Sequence, residues 1–465
     1  MALKVSVSGV RGTIGDSGDV SGDLTPQTLL DFVAAYGTFV KRAHGGPGRP
    51  SVVVGRDGRM SGPVVAQFVT ATLRFLGIDV VDLDLSTTPT VELAVVRHAA
   101  RGGIVLSASH NPYDYNALKL LDHRGEFLSA ADGEAILAII AGAEATFPKV
   151  RELGGYARSE DDIAYHVERT LALPLVDVAA VRQAGLHVVV DCINSTGAIS
   201  VPPLLDALGV TYDLLFAAVT GDFEHEAEPL PKNLTVLAQA VRDAPRAALG
   251  IAVDPDVDRL VLVSEDGGMF GEEYTLVAVA DYVLAHTPGP VVSNLSSSRA
   301  LRDVAARHGQ DYFAGAVGEV HVVRKMREVG AVLGGEGNGG IIYPELHYGR
   351  DSLVGIALVL SHLATSGRRA SELRAGYPDY EIVKDKIDVP DAGVVPAALE
   401  AVAGTYESAE VDRQDGLRLD LPEGWVHLRA SNTEPIVRVI AESTDAAAAR
   451  RLAAEAMSRL RRALR

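Results

Sequence analysis

The sequence predicts an α/β chain, three similar α/β domains followed by a smaller α+β domain, from its length, an internal repeat and a change of pattern near the end. At 465 residues, 47% of them hydrophobic, the chain can bury more than one core. A prior of ~100 to 200 residues per domain suggests three or four. The repeat has three marks. A short Val-rich strand runs into a polar turn at residues 51–57, 188–194 and 291–295. A helical stretch then ends at a glycine that opens another strand, at Gly77, Gly209 and Gly309. An apolar strand finally breaks into a charged or Gly-rich loop at residues 104–111, 251–259 and 332–338, and one more apolar strand follows each time. Strands alternating with helical crossovers imply parallel layers whose ligand loops lie at the carboxyl ends of strands, so three equivalent loops can line one cleft.

Polar and Pro-bearing stretches at 147–148, 158–162 and 264–268, and the stop at Gly376-Tyr377-Pro378, place the domains at 1–155, 156–264, 265–372 and 373–465. Beyond Ser361 the strands shorten, and one more polar loop, 429–435, appears. The tail carries Leu452, Met457, Leu460 and Leu464 at helical spacing, with Ser443 and Thr444 available as caps.

Net charge is −18, from 61 acidic against 43 basic residues, which argues against a nucleic-acid or anionic-membrane surface. Any phosphate site must therefore gather its own Arg and Lys. Cys192 is the single cysteine and lies in an apolar stretch, so a buried thiol in a reducing compartment is expected. The first residues lack the apolar core of a signal peptide, and no run approaches the roughly 18 apolar residues of a membrane span. A cytoplasmic protein is the expectation.

The loop Ser107-Ala108-Ser109-His110-Asn111-Pro112 interrupts two apolar runs, a strand, loop and strand that present the Ser109 hydroxyl while Pro112 stiffens the loop. The alternative is a turn whose serines only cap backbone amides. The second loop, Asp254-Pro255-Asp256-Val257-Asp258-Arg259, sets carboxylates at every other position, which on an extended loop point the same way and repel unless a cation joins them. Oxygen-only ligands, few enough to leave room for water and a phosphate oxygen, suit Mg²⁺. An EF-hand would use Asp254, Asp256, Asp258 and Glu265, but Arg259 stands where that loop needs Gly, and 260–263 reads as a strand. The third loop, residues 334–340, surrounds Glu336 and Asn338 with glycines that allow close backbone approach, and these two side chains offer the directional hydrogen bonds that sugar hydroxyls need. A flexible turn is the alternative. The fourth gathers Arg429, Ser431, Asn432, Thr433 and Arg438, an inventory that matches a dianionic phosphate or, alternatively, an ordinary solvated turn.

In this order the four loops resemble those of the α-D-phosphohexomutase superfamily over nearly the whole chain, and residues 223–234 resemble its linker before the metal loop. The resemblance implies four domains around a central cleft, the first three built alike with mixed sheets. It implies a phosphoserine at Ser109, one Mg²⁺ held by Asp254, Asp256, Asp258 and that phosphate, and Lys119 and Arg11 near the transferred group. Two departures stand out: Ser8-Gly9 replaces the usual Thr-Asp-Gly or Thr-Ser-Gly lead, and Asn replaces a small residue at 338 and 432.

The implied reaction passes a phosphoryl group from Ser109 to a hexose monophosphate, with Lys119 and Arg259 stabilising charge, through a hexose 1,6-bisphosphate that turns end for end on the 429–438 anchor. Lys119 or His110 takes the hydroxyl proton. Glu336 would hold O3 and O4 in either orientation. Glucosamine 6-phosphate to glucosamine 1-phosphate is the expected reaction, with phosphoglucomutase or phosphomannomutase activity as the alternative. A phosphosugar-binding protein without turnover would need neither Ser109 nor the Asp triad, and a phosphatase would gain nothing from an anchor for a reoriented product. The expected form is a monomer or homodimer acting on small phosphosugars.

Overall fold

The computed structural model of the chain describes residues 4–6, 9–15, 23–46, 48–389, 392–431 and 435–464. It divides into two compact units, Met1–Thr275 with Asn338–Ser371, and Leu276–Gly337 with Glu372–Arg465. Mixed α/β sheets and then a smaller C-terminal domain built on an antiparallel sheet follow one another along the chain, as expected. Among the described residues, no helix is long and apolar enough to cross a membrane.

The first sheet of the first unit runs, from edge to edge, Lys4–Ser6, Gly9–Thr13, Tyr115–Leu121, Gly103–Leu106, Ser51–Arg56, Asp79–Leu85 and Tyr156–Arg158. Ser51–Arg56 pairs in parallel on both sides and is buried along its middle, so its Val-rich sequence reads as a near-continuous apolar run. Helix Pro26–Ala43 buries Tyr36 completely, and the phenol donates to the carbonyls of Leu121 (2.7 Å) and Gly103 (3.1 Å). A Cβ on Gly102 would lie 2.0 Å from that phenol oxygen, so only glycine fits there.

The second sheet runs Leu260–Ser264, Leu249–Val253, His187–Asp191, Thr211–Leu215, the first pair antiparallel and the others parallel. Cys192 follows its third strand, fully buried, and burial pushes its thiol up to about 12. In the second unit Val291–Asn294 pairs in parallel with Tyr312–Gly315 and Leu333–Glu336. The repeat glycines are all left-handed, with φ of +78° at Gly77, +70° at Gly209 and +67° at Gly309. Each lets a helix turn sharply into the next parallel strand.

The C-terminal domain is a five-stranded sheet, Glu381–Asp388, Ile436–Ser443, Gly424–Ala430, Leu417–Leu421, Glu410–Asp412, all antiparallel. Helix Ala446–Ala463 packs on it through buried Leu452, Met457 and Leu460. Its cap is Asp445, which accepts the Ala448 N–H at 2.8 Å, rather than Ser443 or Thr444. Ser443 instead donates to the Glu423 carbonyl at 2.6 Å, inside the last strand.

Candidate active site

Strand Gly103–Leu106 is buried at every position and delivers the serine loop from the sheet edge it ends on. Ser107 Oγ accepts the Ser109 N–H at 2.9 Å, so one of the two serines is a cap. The other is aimed elsewhere: Ser109 takes a left-handed φ of +49°, and its Oγ donates to Asp254 Oδ2 at 2.6 Å. A strained serine pointed at a carboxylate is what a presented nucleophile requires.

The loop is held by a residue that sequence reasoning missed. Arg59, fully buried, donates to the carbonyls of Ser109 (2.6 Å), Asn111 (2.7 Å), Pro112 (2.5 Å) and Tyr115 (2.9 Å). Asp57 Oδ2 receives its Nε at 3.1 Å, and its guanidinium carbon sits 5.1 Å from the Phe223 ring centre. The signal was available, since Asp57-Gly58-Arg59 follows the first repeat strand at its carboxyl end, the place where the other ligand loops were sought.

The aspartates converge by a different route from the one expected. The loop is not extended: Val257 takes φ +61° in a turn whose N–H bonds back to the Asp254 carbonyl at 3.0 Å. That turn brings ligand oxygens of Asp254, Asp256 and Asp258 within 4.8 Å of one another, all three side chains fully buried. Two helix N-termini face it, with Thr88 N–H donating to the Asp256 carbonyl (2.9 Å) and Ser352 N–H to that of Val257 (3.1 Å). Their partial positive charge favours the anionic loop. Glu265 is not part of it, for its carboxylate accepts the Ser371 N–H at 3.0 Å and the Ser371 hydroxyl.

Asp256 Oδ1 and Asp258 Oδ1 are buried with no hydrogen-bond partner. Unsatisfied carboxylate oxygens in a buried acidic trio are costly, and a hard divalent cation would satisfy them, so the residues fit Mg²⁺. The remaining charge is balanced by cations: Lys119 Nζ lies 2.5 Å from Asp256 Oδ2 and 3.3 Å from Asp258 Oδ2, and Arg350, a second residue missed in the sequence, lies 2.7 Å from the latter. Thr88 also donates its hydroxyl to Asp256 Oδ2. Burial, with Asp258 and Asp256 beside it, lifts the Asp254 carboxyl well above the usual range. Burial would raise Asp256 too, but the Lys119 ammonium outweighs it and holds the group low. Burial opposes the Lys119 charge as well, yet Asp256 and Asp258 prevail and keep it an ammonium.

Arg11 donates to Asn111 Oδ1 at 2.5 Å. His110 Nδ1 lies 3.4 Å from Ser109 Oγ, and burial, then Arg259 and Arg11, press its imidazole down to about 2, so it is neutral at physiological pH. The Arg259 backbone N–H joins that of Asp258 on Asp254 Oδ1, each at 3.1 Å. Its guanidinium stands 3.8 Å from Glu228 Oε1 and 4.0 Å from Asp258 Oδ1. A chain of net charge −18 thus carries Arg11, Arg59, Lys119, Arg259 and Arg350 around one acidic loop.

Two glycines of the third loop are explained by packing rather than by a ligand. Gly339 has φ +84° with a Cβ position 2.3 Å from the Leu260 carbonyl oxygen, and a Cβ on Gly340 would meet Arg350 Cδ at 2.3 Å. Asn338 Oδ1 accepts the Gly340 N–H at 3.2 Å and so caps its own turn, leaving its amide donors for other work.

In the second unit, Glu336 ends strand Leu333–Glu336, and its Oε1 accepts from Asn294 Nδ2 (2.9 Å) and the Gly318 N–H (3.1 Å). The Gly337 N–H bonds Ser297 Oγ at 3.1 Å. Arg429 and Arg438 are direct cross-strand partners, which puts both guanidiniums on one face of the C-terminal sheet. Asp415, unforeseen in the sequence, lies 2.7 Å from Arg429 Nε and also receives the Val317 N–H at 3.0 Å. The Ser431 N–H donates to the Ile436 carbonyl at 2.9 Å. Asn432 and Thr433 lie outside the described residues.

Family models described as phosphoglucomutase/phosphomannomutase domains I, II, III and C-terminal match residues 3–146, 164–268, 271–380 and 383–459. A protein of Methanopyrus kandleri named "Probable phosphoglucosamine mutase" is 35% identical, the match covering 99% of this chain and 98% of that one. A phosphoglucomutase/phosphomannomutase of Thermococcus kodakarensis is 34% identical over 93% of this chain and 94% of its own. The crystal structure of a phosphoglucomutase/phosphomannomutase family protein from Burkholderia thailandensis superposes with a TM-score of 0.82 at 29% identity, covering 99% of this chain and 98% of that one. With four domain models matched in order around a serine that meets a buried aspartate trio, the chain belongs to the α-D-phosphohexomutase superfamily and is a phosphohexomutase, an intramolecular phosphotransferase.

Proposed function

We propose that the protein interconverts glucosamine 6-phosphate and glucosamine 1-phosphate through a phosphoserine at Ser109. The observation that carries the mechanism is the 2.6 Å contact of Ser109 Oγ with Asp254, beside two unsatisfied carboxylate oxygens. Mg²⁺, held by Asp254, Asp256, Asp258 and the Ser109 phosphate, would supply Lewis-acid charge for the transferring group. In the first step the P–O bond to Ser109 breaks as a new P–O bond forms to the free sugar hydroxyl, and that hydroxyl's proton passes by way of a base to the Ser109 oxygen that is released. Lys119 and Arg259 offset the charge spread over the transferring oxygens. The neutral imidazole of His110, with Nδ1 3.4 Å from Ser109 Oγ, is placed to relay that proton, and because burial, Arg259 and Arg11 hold its pKa down it passes the proton on and does not keep it. Lys119, held as an ammonium, is suited to the electrostatic role.

The hexose 1,6-bisphosphate so formed returns its other phosphate to Ser109 after turning over. Glu336, with its carboxylate fixed by Asn294 and Gly318, would accept from O3 and O4, and Arg429, Ser431, Asn432, Thr433 and Arg438 would hold the phosphate that is not reacting. Asn338 would contribute its amide N–H groups. The protein is read as a cytoplasmic monomer or homodimer whose partners are small phosphosugars, with no nucleic acid or membrane.

The glucosamine preference is supported by the name of the Methanopyrus kandleri relative and by the run from Glu336 to Asp351, which resembles phosphoglucosamine mutases. The Thermococcus kodakarensis relative supports phosphoglucomutase or phosphomannomutase activity as the second reading. Coupled assays of the glucosamine, glucose and mannose phosphates decide between them. A kcat/KM for glucose or mannose 1-phosphate tenfold above the amino sugar, about 1.4 kcal/mol of transition-state preference, would overturn the substrate and leave the mutase mechanism standing.

A further inference from the structure

Besides Asp84, Ala99 and Ala143, left-handed backbone at described residues other than glycine occurs in the serine and aspartate loops and in the second domain. Ser109 (φ +49°) and Val257 (φ +61°) sit in the serine and aspartate loops, and Ile193 (φ +46°), Asn194 (φ +52°) and Phe216 (φ +51°) lie in the second domain beside them. Such a conformation costs a β-branched residue most, and it persists only where its surroundings over-determine it. Here they do. Asp191 Oδ1 accepts the Ile193 N–H at 3.0 Å, the Phe216 carbonyl accepts that of Asn194 at 2.8 Å, and the Asn194 carbonyl accepts that of Gly221 at 3.0 Å.

The strained pair delivers one hydroxyl to a particular place. Ser195, fully buried, accepts the Gly58 N–H at 2.9 Å and donates to the Pro255 carbonyl at 2.6 Å. Gly58 precedes the arginine that holds three carbonyls of the serine loop and that of Tyr115, and Pro255 lies between two aspartates of the trio. Thr196 adds a second bond to Pro255 at 2.8 Å but does not touch Gly58. The approach leaves no slack: a Cβ on Gly58 would lie 2.9 Å from Ser195 Cα, and one on Gly221 would lie 2.2 Å from the Gly58 carbonyl oxygen.

We infer that Ser195 is a positioning residue, whose hydroxyl ties Gly58-Arg59 to Pro255 and so sets the register between Ser109 and the aspartate trio. This rests on the assignment of Ser109 and the trio to the reaction. Ser195 touches neither the transferring group nor a metal ligand side chain. Its loss should therefore impair transfer, which depends on the register, while the hold on the sugar and its distal phosphate stays intact.

The test compares Ser195→Ala with Ser361→Ala and Ser109→Ala in the full chain. Ser361 is a chemical match outside the site: a fully buried hydroxyl that accepts one backbone N–H, from Asp177 at 3.1 Å, and donates to one carbonyl, that of Ala357 at 2.8 Å. Deleting either removes the acceptor of one backbone N–H and the donor to one carbonyl, so the two variants lose the same pair of bonds. The expected result is a kcat at least tenfold lower for Ser195→Ala, with KM for the phosphosugar within twofold, a higher Mg²⁺ concentration for half-maximal rate, and kcat for Ser361→Ala within twofold of the parent. A smaller loss in Ser195→Ala, an equal loss in the two alanine variants, or a change in KM alone would overturn the bridge. Full turnover in Ser109→Ala would instead overturn the assignment beneath it. If thermal melting shows Ser195→Ala unfolded, Ser195→Cys, which keeps a weaker donor, carries the same comparison by the same criteria.

Discussion

Ser109 and Arg59 divide the work of one loop, and replacing each should fail in its own way. Ser109→Ala removes a nucleophile and only the side-chain bonds to Asp254 and His110, so turnover should vanish while a phosphosugar still binds. Intact-mass measurement should find one labile phosphate on the parent and none on the variant, and retained turnover would refute the nucleophile. Arg59→Lys keeps the charge beside Asp57 but not the planar fork, so it cannot reach four carbonyls at once. We expect a folded protein with kcat reduced tenfold or more and little change in KM; unchanged kcat would remove Arg59 from the account. Residues that act through backbone are poorly legible in a sequence. Ser109 and the aspartates announce themselves by type and spacing, whereas Arg59 and Ser195 matter only because chain separated by 50 or more residues folds back upon them.

At the scale of elements, the repeat was legible because each copy needs the same left-handed glycine between helix and strand. What spacing could not show was how the copies are joined. Strand Tyr156–Arg158 pairs with Asp79–Leu85, and we propose that the first domain be drawn to Arg158 for that reason. Three elements of the first unit meet in a buried chain of acids and histidines. Glu92, on helix Thr88–Arg97, lies 3.1 Å from His347 Nδ1, while Asp351, the cap of helix Ser352–Ser366, receives His347 Nε2 at 3.1 Å and His166 Nε2, from helix Asp162–Leu171, at 2.8 Å. Thr90 Oγ1 stands 2.9 Å from the other nitrogen of His166. A Cβ on Gly349 would fall 1.7 Å from Glu92 Oε2, so a larger residue there would displace the Glu92 carboxylate.

Burial alone would lower His347, but its bonds to Asp351 and Glu92 raise it to about 10. Burial also raises Glu92. A group whose folded pKa is raised gives stability that is full below its unfolded pKa, about 6.5 for His, and drains as pH climbs through the folded value. Both groups therefore act in the same direction. Denaturant unfolding should show the parent losing stability between pH 7 and about 10, and His347→Gln losing much less over that interval. Parallel pH profiles for the two proteins would show that this pair does not govern alkaline stability.

The whole molecule places its anionic trio in one compact unit and the paired arginines of the C-terminal sheet in the other. A ligand stabilises the state that binds it by RT ln(1 + [L]/Kd), about 2.7 kcal/mol at a hundred times Kd. Mg²⁺ would satisfy oxygens of Asp256 and Asp258 that are otherwise buried without partners, so its contribution belongs to the first unit alone. Units with separate cores need not unfold together, and calorimetry can follow each. Adding Mg²⁺ to metal-free protein should raise the transition of the first unit and leave that of the second in place, and inorganic phosphate should do the reverse through Arg429 and Arg438. Asp256→Asn should abolish the Mg²⁺ shift and lower kcat far more than it weakens phosphosugar binding, because the cation acts on the transferring group. EDTA should stop turnover reversibly. If Mg²⁺ raises both transitions equally, or if the chelated protein turns over at full rate, the trio is not the metal site and Asp254 holds Ser109 for some other purpose.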